Sequence, residues 1–186
     1  MERIGRNRGV MLLDRLFRPR PALVAGRALY ARAVEGSRAP ALYAELGAPD
    51  TVEGRFEVYS LHVVLLLDRL RGQGEPAAEV SQGLFDTYVQ ALDNALREMG
   101  VGDLAVGRKM RKLGEAFYGR AKSYEAAFAA LPDEAPLQAL IARTVYADAD
   151  AALAPRLVTY VLGQRAALAE QPLGGLLVGQ VDWAPQ

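Results

Sequence analysis

A chain of 186 residues with 51% apolar and 24% charged residues can bury one sizeable core, and this composition excludes intrinsic disorder. It contains no cysteine, which excludes disulfides, thiolate metal sites and cysteine nucleophiles. The formal net charge is zero, so only the distribution of charge can point to a partner.

Residues 1–32 carry eight arginines against Glu2 and Asp14, a local net of +6. The apolar run Val10-Met11-Leu12-Leu13 is stopped by Asp14 and Arg15. It is too short for a secretory core, and no run reaches the roughly 18 residues of a membrane span. The chain is therefore expected to stay in the cytoplasm where it is made. Val10, Leu13, Leu16 and Phe17 share one helical face beside arginines. That face either docks on its own domain or lies peripherally on an anionic inner-membrane surface.

Pro21 opens a helix over 21–35, on which Leu23 and Tyr30 can face the core, and Gly36 follows its end. A short helix runs from Pro40 to Leu46 and stops at Gly47. Asp50-Thr51-Val52-Glu53 has the form of a capping box with Asp50 as the N-cap. The helix it starts carries Phe56, Tyr59, Val63, Leu66 and Leu70 on one face and is apolar nearly all round from Val58 to Leu67. Such a helix is covered on several sides. His62, the only histidine, falls inside that run and reads as a hydrogen-bonded core residue.

After the Arg71–Pro76 loop, a helix over 77–99 turns Val80, Leu84, Tyr88, Leu92, Leu96 and Met99 inward. Gly100 suits a left-handed position just past the helix end, and Asp103 is placed as the next N-cap. From there Val106, Met110, Leu113, Phe117, Ala121, Tyr124 and Phe128 form one stripe at helical spacing. The other face holds Arg108, Lys109, Arg111, Lys112, Arg120 and Lys122 against a single Glu115. A further helix, Ala135 to Tyr146, turns Leu137, Leu140, Ile141 and Val145 inward. Asp148 and Asp150 are placed to cap a last helix ending near Glu170, before Gln171-Pro172. The glycine-rich apolar tail reads as an arm laid over the domain or a strand that docks on a partner. Its only alternation, weak, lies between Val178 and Trp183. The expected fold is all-α: a single compact domain of seven or eight helices around a central helical hairpin. Residues 1–19 form a basic amphipathic segment, 20–171 the helical domain and 172–186 the arm.

Catalytic parts are missing from this pattern. No glycine-rich phosphate loop is present, since Gly100-x-Gly102 follows a helix and caps it. Ser37, Ser60, Ser81 and Ser123 sit in no nucleophile elbow, and a lone histidine completes neither a triad nor a metal site. No particular pair of carboxylates stands out. The reading is a non-enzyme without metal or cofactor.

The cluster Arg108, Lys109, Arg111 and Lys112 is the main surface signal, because like charges this close repel by about a few tenths of a kcal/mol per pair. Either Asp133, Glu134, Asp148 or Asp150 pairs with it, or it faces an acidic protein, a phosphate backbone or membrane headgroups. A helix, a GVGD turn and a basic helix are also similar to a DNA-reading helix-turn-helix, although the second helix is too long. A nucleic-acid-binding adaptor using helix 105–122 is therefore the alternative function.

The stretches PDTVEGRFEVYSLHVVLLLDRL (49–70), SQGLFDTYVQALDNALREMGVGDLAVGRKMRKLGEAFYGRAKSYEAAF (81–128) and Arg143–Tyr146 closely resemble the ubiquinol–cytochrome c reductase assembly chaperones of mitochondria and alphaproteobacteria. The tail GQVDWAP resembles the family's ending more loosely, with Gln180 and Asp182 departing from its basic character; Arg108 stands where lysine is usual. The resemblance implies an all-helical chaperone that engages newly made cytochrome b and assists assembly of the cytochrome bc1 complex. The mitochondrial relatives work with a small partner protein and near the ribosome exit, a partnership these residues leave open for this chain, and no nucleic-acid ligand is expected. Without a long targeting extension, the chain reads as a bacterial member. The family has no catalytic residues to carry over. A holdase needs an apolar groove beside orienting charges. The candidates are Tyr88, Tyr118, Tyr124 and Phe56, beside Arg108, Lys109, Arg111, Lys112 and Arg120; all four aromatics have the core as their alternative, and for Phe56 the core is the first reading.

Overall fold

The computed structural model describes residues 20–147 and 149–185, leaving aside the side chains of Asp103 and Leu104. The amphipathic reading of residues 1–19 and the capping role of Asp148 lie outside the described residues. Among the described residues there are eight α-helices: α1 Pro21–Ser37, α2 Pro40–Ala44, α3 Val52–Leu70, α4 Glu75–Glu98, α5 Asp103–Ala129, α6 Ala135–Thr144, α7 Ala154–Glu170 and α8 Leu173–Leu176. A 3-10 turn, Ala151–Leu153, precedes α7, and no strand occurs among the described residues. The all-α expectation holds.

Helix α3 is the element the others surround. Its residues 58 and 60–66 are all buried, as an all-round apolar run requires, and α1, α4, α5 and α7 pack on it. Its start differs from the expected capping box by one residue. The Gly54 amide donates to Thr51 Oγ1 at 3.1 Å, so Thr51 is the N-cap. Asp50 lies one residue too early and pairs instead with Arg55.

Helices α1 and α4 meet with no side chain between them. A Cβ on Gly26 would stand 2.4 Å from the Gly83 carbonyl carbon, and one on Gly83 would stand 2.8 Å from Ala22 O. Two backbones can approach this closely only where both helices present glycine. The buried face of α1 is accordingly Ala25, Leu29 and Ala33, while Leu23 and Tyr30 are partly buried.

The α4–α5 turn is a Schellman motif. Gly100 has φ 78°, its amide donates to Arg97 O at 2.9 Å, and the Val101 amide donates to Leu96 O at 3.0 Å. The N-cap of α5 is Gly102, and Asp103 is the first helical residue, which corrects the expected cap. The stripe on α5 is deeply buried at Val106, Phe117, Tyr124 and Phe128, yet Met110 and Leu113 between them are only partly covered. On α4, Leu92 and Leu96 are likewise partly covered, and Met99 is 67% exposed. The hairpin thus packs by its base and extends past the core at its tip.

Helix α6 ends at Thr144, two residues early, and Asp150 precedes the 3-10 turn without a side-chain cap. The tail beyond α8 lies against the domain, where Arg32, Gln164 and Gln171 bond its main chain. Its weak alternation forms no strand: Val181 is buried and Trp183 partly buried, with exposed Asp182 between them.

Candidate interaction surfaces

Arg108, Lys109, Arg111 and Lys112 occupy the outward face of α5, opposite Val106 and Phe117. All four are exposed and form no ion pair with any described residue. Asp133, one of the acids considered as a partner, instead accepts from the Ala135 amide at 3.0 Å. Four unneutralised cations within two turns can bind an anionic group without first breaking an internal pair.

The other expected site residues separate from this cluster. Tyr118 is 67% exposed and meets Phe85 edge-on with ring centroids 5.6 Å apart. Arg120 is committed internally: its Nε and Nη2 reach both carboxylate oxygens of Glu57 on α3, at 2.8 and 2.6 Å. Tyr88 and Tyr124 are core residues, 1% and 2% exposed, and cannot line an open groove. Tyr88 Oη shares a hydrogen bond of 3.0 Å with Ser60 Oγ, and its ring packs on Phe117 at 4.5 Å. Burial raises the pKa of both phenols, so both stay protonated. The helical spacing that assigns these two tyrosines to core faces outweighs their chemical suitability for a groove.

An open cleft of about 890 Å³ lies between α1, α2, α3 and the distal half of α4. Tyr30, Val34, Tyr43, Val52, Phe56, Tyr59 and Leu92 line it, with Asp50, Arg38 and Arg55 among the polar groups. Phe56 is partly buried and belongs to this wall. Tyr30 and Tyr59 meet edge to face at 5.8 Å. Val52 is 68% exposed at the start of α3. Apart from Phe56, sequence reasoning missed this wall. The available signal was Val52 and Phe56, an apolar pair one helical turn apart at the very start of α3.

His62 has no free nitrogen. Nδ1–H donates to Val58 O at 2.8 Å, and Nε2 accepts from Tyr160 Oη at 2.8 Å. Desolvation lowers its pKa from 6.5 to about 4, which keeps the ring neutral near pH 7. Among the described residues no three acidic or histidine side chains come together as a metal site would need. No described helix is long and apolar enough to cross a membrane.

A family model described as ubiquinol-cytochrome C chaperone matches residues 44–183. The chain belongs to this family. A crystal structure of the Cbp3 homolog from Brucella abortus is similar throughout, with a TM-score of 0.81 and 32% identity, over 95% of this chain and 96% of that one. No curated protein matches. The part of the chain matched to the chaperone family contains α3 to α8, the four free cations and the arm as far as Trp183. It also includes the α3 and α4 walls of the cleft, while Tyr30 and Val34 on α1 precede it.

Proposed function

We propose that this chain is an assembly chaperone that binds newly made cytochrome b and assists biogenesis of the cytochrome bc1 complex. Family membership supports the process, and the open aromatic cleft supports the mode of action. The cleft has the character of a groove for an apolar helix: wide aromatic walls provide contact area, and guanidinium groups at its edge fix polarity. About 890 Å³ accommodates several apolar side chains of a client but not a whole protein. The cations at 108, 109, 111 and 112 then hold the chaperone against an anionic surface where the client enters the inner membrane.

Affinity purification of the full chain from its own host should bring down cytochrome b, and deletion of the gene should lower cytochrome bc1 content. Normal bc1 content in the deletion strain would refute the assignment. The nucleic-acid alternative requires affinity for duplex DNA or RNA that falls steeply with salt. A salt-steep affinity of that kind, with no cytochrome b recovered, would replace the chaperone reading.

A further inference from the structure

The arm after α8 is read by the rest of the protein as a bound peptide would be. Gln171 Nε2 donates to Asp182 O at 2.7 Å, and the Asp182 amide donates back to Gln171 Oε1 at 2.9 Å. Seven residues earlier, Gln164 repeats the arrangement on Ala184, with Nε2 to the carbonyl at 3.1 Å and the amide to Oε1 at 2.8 Å. Arg32 Nε donates to Val181 O at 3.0 Å. The body of the protein therefore supplies side-chain partners to the main chain at residues 181, 182 and 184. Gln164 is itself 2% exposed, so its amide has no solvent alternative.

Between these clamps the side chains alternate as on an extended strand. Val181 is 3% exposed, whereas Asp182 points outward. Trp183 enters a socket in which Nε1 donates to Arg32 O at 2.7 Å and the ring meets His62 at 4.9 Å, nearly perpendicular. Gly36 makes the room, because a Cβ there would stand 2.6 Å from the indole nitrogen. The arm does not fill its surroundings. An open space of about 620 Å³, lined by Arg32, Gln171, Gly179 and Asp182, remains alongside it.

We infer that this groove between α1 and α7 is a binding site for an extended segment of a partner polypeptide, with a β-branched residue followed two positions later by tryptophan. Residues 181–184 occupy it in cis. Recognition through main-chain groups tolerates sequence variation, and the two sockets set the register. Residues 178–180, which join the arm to α8, are hydrogen-bonded into a turn, so the arm competes at no less than the roughly millimolar effective concentration of a short flexible link and excludes weak competitors. The inference stands on this groove alone and does not require cytochrome b to be the client.

The probe is a fluorescein-labelled peptide of residues 179–185, titrated by anisotropy against the full chain and against full-length Trp183→Ala. Weakening the cis occupant should tighten peptide binding by at least about tenfold, and adding Gln164→Ala should remove at least about tenfold, as loss of the tethered competitor and of a main-chain clamp require. Trp183 is the only tryptophan, so an unlabelled peptide with phenylalanine in place of tryptophan should shift the wild-type emission to the red as it displaces the arm. If Trp183→Ala does not fold by circular dichroism, a six-residue glycine–serine insertion between Gln180 and Val181 replaces it and should show the same gain. Absence of saturable binding to the loosened chain up to about 1 mM, the effective concentration of the tether, would overturn the inference. Binding that is indifferent to Gln164→Ala would overturn it equally.

Discussion

The groove that holds the arm and the outward face of α5 treat polar groups in opposite ways. Around His62, Arg32, Gln164 and Gln171, each side chain has a partner within hydrogen-bond distance. Along Arg108, Lys109, Arg111 and Lys112, four like charges stand exposed with no ion pair among the described residues. The first arrangement is what folding demands, since a buried polar group left unpaired costs about 1–3 kcal/mol. The second gains the fold nothing and costs some repulsion, which supports the proposal that it faces an anionic partner. Substitution in the interior should therefore reduce stability, and substitution on α5 should reduce function alone.

The largest stability loss is expected at the α1–α4 crossing. Gly26→Val places its Cβ on the backbone of Gly83, which cannot swing aside as a side-chain tip could. The two helices must separate, at a cost on the order of 3 kcal/mol or more, the upper end for overpacking. Urea unfolding measures this, and an unchanged midpoint would show that the helices are not in backbone contact.

A loss of similar size is set by pH. His62 has its pKa lowered to about 4, against 6.5 when unfolded. Between these values the unfolded chain binds a proton and the folded chain does not, so stability rises with pH across that window. Lowering the pH from 7 to 4 should remove about 3 kcal/mol through this group, at about 1.4 kcal/mol per unit. Carboxylates add their own slope below about pH 5. The decisive comparison is between wild type and His62→Gln from pH 7 to 5, where the variant should be the flatter.

Gly100→Val should cost less, about 1–2 kcal/mol, because it strains one left-handed residue without meeting any neighbour. The melting temperature should fall modestly. No fall would mean that the turn relaxes to another geometry.

These sites differ in how legible they were. The all-round apolar run of α3 and the glycine turn at 100 are written in residues that are present at telling intervals. The contact of Gly26 with Gly83 is written in side chains that are absent, and hydrophobic spacing carries no record of those. Gln164 and Gln171 were obscure for another reason: a glutamine on a helix reads as a solvated position until something is seen to lie across it. Thr51 and Asp50 compete for one cap by a single residue, and the position of the Gly54 amide decides between them. Of the candidate site, the exposure and lack of pairing of the four cations were legible as an uncompensated charge. Tyr88 and Tyr124 were misjudged by chemical type although their spacing already marked them as core. The cleft joins α1, α2, α3 and α4, a tertiary juxtaposition that no local pattern encodes.

The smallest effect on stability should come from reversing Arg108, Lys109, Arg111 and Lys112 together to glutamate. All four side chains are exposed and no described carboxylate pairs with them, so no internal ion pair is lost. Substitutions of this kind shift stability by less than about 0.5 kcal/mol each. New like charges beside Glu115 replace the old repulsion with one of similar size, and the net change in melting temperature should be slight. The effect on an anionic partner is of another order, since each reversal turns an attraction into a repulsion. The variant should keep its circular dichroism spectrum and fail to restore cytochrome bc1 content in a deletion strain. Arg120→Glu sharpens the contrast from the same helix. It breaks the pair with Glu57, which is largely buried, and should lower stability by more than any one of the four reversals. If the quadruple variant restores bc1 content in full, the outward face of α5 is only solvated surface, and the working surface reduces to the cleft around Tyr43, Val52 and Phe56.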